Sequence, residues 1–187
     1  MAARTITAET GSWRATIVEG SAGCTFDPRG WLEAIDPASD GPAPEVTATV
    51  EAWRAGSGIL PWALISGTYV PGSNATLRID VGHSGALPRA PQHDCRGPMG
   101  RLLARGLPEP FAGWAFTMLR NQELIRNRPG RISVHAAAYH EADSGRLVFS
   151  LAALVLKWAL VEGSSIDISD DIFGSMYALA KKRSASQ

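Results

Sequence analysis

Glu51, Asp80 and His135 are the side chains of this 187-residue sequence whose types and spacing best suit acid/base chemistry. Each falls on the polar side of an alternating stretch. In Val46 to Arg54, Val46, Ala48, Val50 and Ala52 share one face, and Thr47, Thr49, Glu51 and Trp53 share the other. The polar positions of Ala75 to Gly82 are Thr76, Arg78 and Asp80, and those of Arg131 to Tyr139 are Ser133, His135, Ala137 and Tyr139. Period two of this kind marks half-buried strands. Laid side by side, such strands would gather two carboxylates, an imidazole and Arg78 on one open face. That set suits proton transfer on a small anionic substrate, in a lyase, isomerase or cyclase of specialised metabolism. A solvated antiparallel face alternates in the same way without any chemistry.

A second group lies between His83 and Gly106, where His83, His93, Asp94 and Cys95 are all capable ligands, or a nucleophile with its base. Their spacing fits no metal pattern, so no metal and no cofactor are expected. Cys24 and Cys95 form no CxxC pair and are expected as free thiols. A third group is basic: Arg96, Arg101, Arg105, Arg120, Arg126, Arg128 and Arg131 share a segment whose acidic residues include Glu109 and Glu123. Guanidinium forks bind phosphate, so this stretch is a candidate footprint for RNA or a phosphorylated small molecule, against the plainer reading of a solvated helix face and loop. The fourth group is Tyr139-His140-Glu141-Ala142-Asp143-Ser144, a polar tip between a strand and a helix. Tips of this kind carry contact residues on a rigid scaffold.

The elements that must position these groups follow from pattern. Ser12 to Glu19 reads as a strand, residues 20–44 as a long connection with a helical turn at Gly30 to Ile35, and Val46 to Arg54 as a second strand. After the Gly56-Ser57-Gly58 break, Trp62 to Val70 and Ala75 to Gly82 read as a hairpin about the turn Pro71-Gly72-Ser73-Asn74. His83 to Gly106 is a long loop with at most a short helix near Met99 to Ala104. Pro108-Glu109-Pro110 opens a helix that runs toward Arg126. Arg131 to Tyr139 is the clearest strand. Asp143 and Ser144 are expected to cap the helix that stops at Gly163, and Ser169 the last helix, from about Asp170 to Lys182. Strands followed by helix, strand, helix and helix predict an α+β two-layer sandwich. Its sheet would have four to six mostly antiparallel strands, with helices on one face and a split β-α-β crossover.

Eighteen basic and eighteen acidic residues cancel, so no global field favours nucleic acid or membrane. The apolar run Leu147 to Val161 is interrupted by Ser150 and Lys157 and falls short of the ~20 residues a spanning helix needs. No membrane association is expected. The N-terminus lacks the apolar stretch of a secretory signal, which makes a cytoplasmic location the default. The length suits one domain, 1–187, divided into an N-terminal strand and loop extension (1–44), a core (45–162) and a C-terminal helix with a frayed tail (163–187). Six tryptophans permit an oligomerising scaffold without specifying one.

The string Ala138 to Ser144, followed by Phe149 and Ala152-Ala153, resembles the fourth domain of elongation factor G and related translational GTPases, whose tip reads Gly-Ser-Tyr-His-Glu/Asp-Val-Asp-Ser. Leu107-Pro108-Glu109-Pro110-Phe111 is similar to the Ile-Pro-x-x-Tyr/Phe that opens the family's preceding helix. The resemblance is closest over 107–160. It implies a ribosomal-protein-S5-like fold with its crossover helix at Pro108 to Arg126. It also implies a stand-alone RNA- or ribosome-binding role through Tyr139, His140 and Glu141, to which the arginine segment and Arg78 would add. The chain departs from the family in having no GTP-binding P-loop and no Gly-Gly-x-Gly-Gln-Tyr-Gly loop. The same broad fold also hosts enzymes, so the acid/base reading of Glu51, Asp80 and His135 stands beside it.

Overall fold

Order along the chain is β1 (Thr5–Thr10), β2 (Trp13–Glu19), β3 (Gly30–Pro37), β4 (Val46–Arg54), β5 (Trp62–Pro71), β6 (Thr76–His83), β7 (Cys95–Arg96), β8 (Leu102–Arg105), α1 (Glu109–Arg120), β9 (Gly130–Tyr139), α2 (Arg146–Val161) and α3 (Asp170–Ala185). This computed structural model describes residues 5–21, 23–56, 60–162 and 168–185. The expected break at Ser57-Gly58 and the stop at Gly163 lie outside them. The fold is α+β, with a large, open, mixed sheet in the order β1-β2-β4-β5-β9-β6-β3, and β8 joins β7 to β9. Every pairing is antiparallel except β6 with β9.

The sheet is larger than the four to six strands expected. Thr5–Thr10 pairs with β2 through a two-residue turn in which Gly11 has φ 54°, a conformation that favours glycine. Gly30–Pro37, expected to hold a helical turn, is edge strand β3. Both of its faces carry apolar residues, Trp31 and Ile35 on one and Leu32 and Ala34 on the other, which hides the period of two. The loop before α1 contains the β7–β8 hairpin instead of a helix. Helix α1 ends at Arg120, short of Arg126, where Asn121 turns extended.

Trp62–Pro71 and Thr76–His83 are strands, but they do not pair with each other. Strand β9 enters between them, antiparallel to β5 and parallel to β6. The 71–75 turn is shaped to receive it: Gly72 N–H donates to Pro129 O at 3.1 Å, and Tyr69 Oη–H donates to the same oxygen at 2.6 Å. Gly130 has φ 153°, and a Cβ there would lie 2.4 Å from Val70 O, so only glycine allows the approach. Helix α1 supplies the crossover from β6 to β9.

All three helices pack on one face, where Ala48, Val50, Ile65, Leu77, Ile79, Val81, Ile132 and Val134 meet Phe111, Met118, Phe149, Leu156 and Phe173. Helix α2 lies on β4 and β5 and also touches α1 and α3. It is buried from Val148 to Val161, all round, including Lys157. The Lys157 ammonium donates to Asn121 O and Asn127 Oδ1, each at 2.7 Å. It thus closes the C-terminus of α1, where the helix dipole favours a cation. Asn127 Nδ2 donates to Pro37 O at 3.1 Å, and Asp36 next to it holds Arg120 through two bonds of 2.8 and 2.9 Å. One polar chain therefore ties α2 to the α1–β9 connection and to β3.

Burial lowers the Lys157 ammonium from 10.5 to about 8, opposed by the Asp36 charge. At about 1.36 kcal/mol per pH unit this corresponds to about 3 kcal/mol against the charged form. Below pH 8 folded and unfolded chains are both protonated and the cost is present in full. Between about 8 and 10.5 only the unfolded chain holds the proton, so this group makes stability rise with pH there. The unfolding free energy of the wild type minus that of Lys157→Met, followed by urea denaturation, is expected to increase across that window. A difference independent of pH would contradict the buried ammonium.

Candidate functional site

Strand β9 contains a bulge. Ser66 faces Ala136 and Gly67 faces Val134, which leaves His135 as the extra residue. Alternation therefore reverses at His135. Ile132 and Val134 face the helices, but so do Ala137 and Tyr139, while Ala136 and Ala138 face the other way. Tyr139, expected at the surface as an RNA contact, is instead buried, with its ring 5.5 Å edge-on from Phe111.

The strand then ends in the tip. Ser144 Oγ accepts the His140 N–H at 2.8 Å and donates to Trp62 O, and the Ser144 N–H returns to His140 O at 2.9 Å. Ser144 and Asp143 are thus engaged with the strand end instead of capping α2. The N-cap of α2 is Gly145, which has no side-chain cap bond. Asp143 is gripped by Arg101 Nη2 at 2.7 Å. His140 Nδ1 lies 3.3 Å from the same carboxylate, and among the described residues this buried nitrogen has no hydrogen-bond partner. The exposed His93 ring is 5.7 Å from that of His140, and Glu141 is exposed at the apex.

Behind the tip the contacts run inward. The Arg101 guanidinium lies 4.7 Å over the Trp62 ring. Trp62 stacks on Trp53 at 5.3 Å and donates its indole N–H to Glu51 Oε1 at 2.6 Å. The other Glu51 oxygen accepts the Met99 N–H at 2.7 Å. Burial raises the Glu51 carboxyl above its usual range, while the Met99 and Trp62 hydrogen bonds and the Arg101 charge pull it down. The side chain is fully buried.

Part of the sheet face expected to be open is therefore covered. Trp53, Trp62, Leu64 and Ala138 are sealed under Cys24, Cys95 and Leu103. Cys24 and Cys95, expected as free thiols, form a disulfide with Cα atoms 5.6 Å apart. They meet because Cys24 O accepts the Ala137 N–H on β9 at 3.2 Å, while β8 carries β7 along the same strand's end.

Glu51, Asp80 and His135 are not brought together. Glu51 is opposite Leu64, which is opposite Ala138, whereas Asp80 is level with Ser133 on β9. Three strand spacings and about four residues of offset separate the two carboxylates by roughly 20 Å. Asp80 is buried between Arg78, at 2.9 Å, and Arg131, and Arg78 also reaches Glu33 at 2.9 Å. His135 is half-buried, its Nδ1 3.3 Å from Ser133 O. His83 is also half-buried and lies beside Gly30, away from His93, and among the described residues no cluster of three or more metal-binding side chains exists.

The arginine segment does not form one patch. Arg131 and the tip stand at opposite ends of β9, roughly 25 Å apart. Most of the arginines are paired: Arg105 with Asp94 at 3.2 Å, Arg120 with Asp36, Arg126 with Asp40 at 3.8 Å and Arg128 with Glu162 at 3.4 Å. Among the described residues, Arg96 bonds the carbonyl of Gly100 and no carboxylate. No local pattern marks the tryptophan pair or its arginine, because Trp53, Trp62 and Arg101 come from β4, β5 and the β7–β8 hairpin.

Gly97 lies against Glu51. A Cβ at this position would stand 2.4 to 2.9 Å from three atoms of a carboxylate fixed at both oxygens. Gly97→Ala is expected to lift the β7–β8 hairpin and cost roughly 1–3 kcal/mol. Urea unfolding followed by tryptophan emission measures this, and an unchanged midpoint would show that the cover does not depend on this contact. In comparison with known proteins, no family model, curated protein or solved structure matches this chain.

Proposed function

We propose that this protein is a stand-alone RNA- or ribosome-binding module of the type represented by the fourth domain of elongation factor G, contacting RNA through the His140 tip. The observation that carries the reading is the fixing of the tip. Ser144 and Arg101 hold the backbone and Asp143, so exposed Glu141 and half-buried His140 are presented by a frame whose side chains are already committed. Ordering costs are thereby met before any partner arrives.

Three features support RNA as that partner. His140 and His93 offer two imidazoles side by side, and unstacked bases are recognised by stacking on such rings and on guanidinium planes. Arg96 adds a charge that, among the described residues, has no carboxylate partner, next to exposed Met99 and Leu102. Helix α1 joins parallel β6 and β9 and α2 follows the tip, the element order that the S5-like resemblance implies. The acid/base alternative has less support, since Glu51 is sealed and lies far from Asp80.

In filter binding at low salt, the protein is expected to retain RNA, with an affinity that falls as salt rises. His140→Ala is expected to weaken binding about tenfold or more, the scale of one lost stacking contact, while Arg126→Ala leaves it near wild type. Absence of RNA affinity at low salt, or equal loss from both variants, would overturn the proposal.

A further inference from the structure

The two edges of the sheet are finished differently. At β1 the outward N–H of Glu9 is taken by Asp170 Oδ1 at 3.2 Å, and α3 packs along the strand. At β3 the Ala38 N–H bonds Ala75 O across the pair with β6. Backbone groups alternate sides along a strand, so those of Asp36, Ala34 and Leu32 also face β6, and those of Trp31, Glu33 and Ile35 face outward. Among the described residues, no hydrogen bond engages these outward groups. The side chains of Trp31 and Ile35 are 47% and 67% exposed, flanking Glu33, which is held by Arg78 at 2.9 Å. A bare edge with large apolar side chains is a template for strand pairing.

We propose that β3 is a self-association edge, at which two copies of this chain pair antiparallel about a two-fold axis through Glu33. The occupant follows from the order of the outward residues. Trp31, Glu33 and Ile35 read against themselves place Trp31 beside the partner's Ile35 twice and form about six main-chain hydrogen bonds. The two Glu33 carboxylates meet at the axis, each bonded at 2.9 Å by Arg78 of its own chain, whose guanidinium also holds Asp80. Pro37 fixes the register. It is the next outward residue and has no N–H, so sliding the pair by two positions would bring it into the ladder and lose a bond. A second copy presents the same apolar spacing of Trp31 and Ile35 by identity. Strand pairing on β3 leaves the tip, at the end of β9 two strands away, free to work.

Sedimentation velocity of the full chain over a concentration series tests this. Wild type is expected to dimerise, and Ile35→Lys, which sets an ammonium against the partner's Trp31, to raise the dimer Kd about tenfold or more with unchanged circular dichroism. Glu33→Cys tests the register independently: on the axis the two Cα atoms would be about 5.5 Å apart, within disulfide range, so oxidation is expected to give a covalent dimer. A monomer at every concentration would overturn the proposal. So would a dimer whose Kd is unmoved by Ile35→Lys and that Glu33→Cys does not link.

Discussion

The insertion of β9 between β5 and β6 is the constraint on which the rest of the structure depends. A strand that follows a helical crossover must find two partners already in place. Gly130 makes this possible, because the chain there passes too close to Val70 O for any Cβ. Once inserted, β9 carries Ile132 and Val134 into the helix-side core and delivers its far end to the tip. The bulge at His135 is what lets the same strand put Tyr139 under Phe111 while Ala136 and Ala138 line the covered face. Without that extra residue, one of the two faces would receive the wrong side chains.

Charge is used in this molecule mainly to fasten elements together. Asp36 with Arg120 joins β3 to α1, and Asp143 with Arg101 joins the tip to the hairpin cover. Asp80 with Arg78 and Arg131 joins β6 to β9. Removing one partner of such a pair is costly, because it leaves the other charge buried and uncompensated. The same pairing explains why a basic stretch of sequence does not become a basic patch. Its guanidinium groups are divided between two ends of a long strand, and most face a carboxylate. Lys157 is the extreme case, a cation buried inside the helix layer that closes the end of α1 and holds Asn127.

Strands β2, β4, β5, β6 and β9 were legible because each alternates or is rich in β-formers, and Ser169 was legible as the cap of α3, whose hydroxyl accepts the Ile172 N–H at 3.3 Å. What was not legible has identifiable causes. Strand β3 has apolar residues on both faces. The β5–β6 hairpin was a sound local inference that a later strand overrode. The face of Tyr139 depended on a bulge, and no local pattern marks a single extra residue. Of the candidate site, the strand-to-helix junction at the tip was legible from its residues, but the frame that holds it was not. Arg101, Trp62 and Glu51 are far apart in sequence, and only the register of β4 with β5 and the folding of the β7–β8 hairpin bring them together.

The central claim is that the fixed tip, and not the dispersed arginines, meets RNA. Backbone amide chemical shifts recorded while a single-stranded RNA is titrated into the protein test it most directly. The account predicts perturbations concentrated at His93, Arg96, Arg101 and His140 to Asp143. Perturbations centred on Arg126 to Arg131, or none at all, would contradict it.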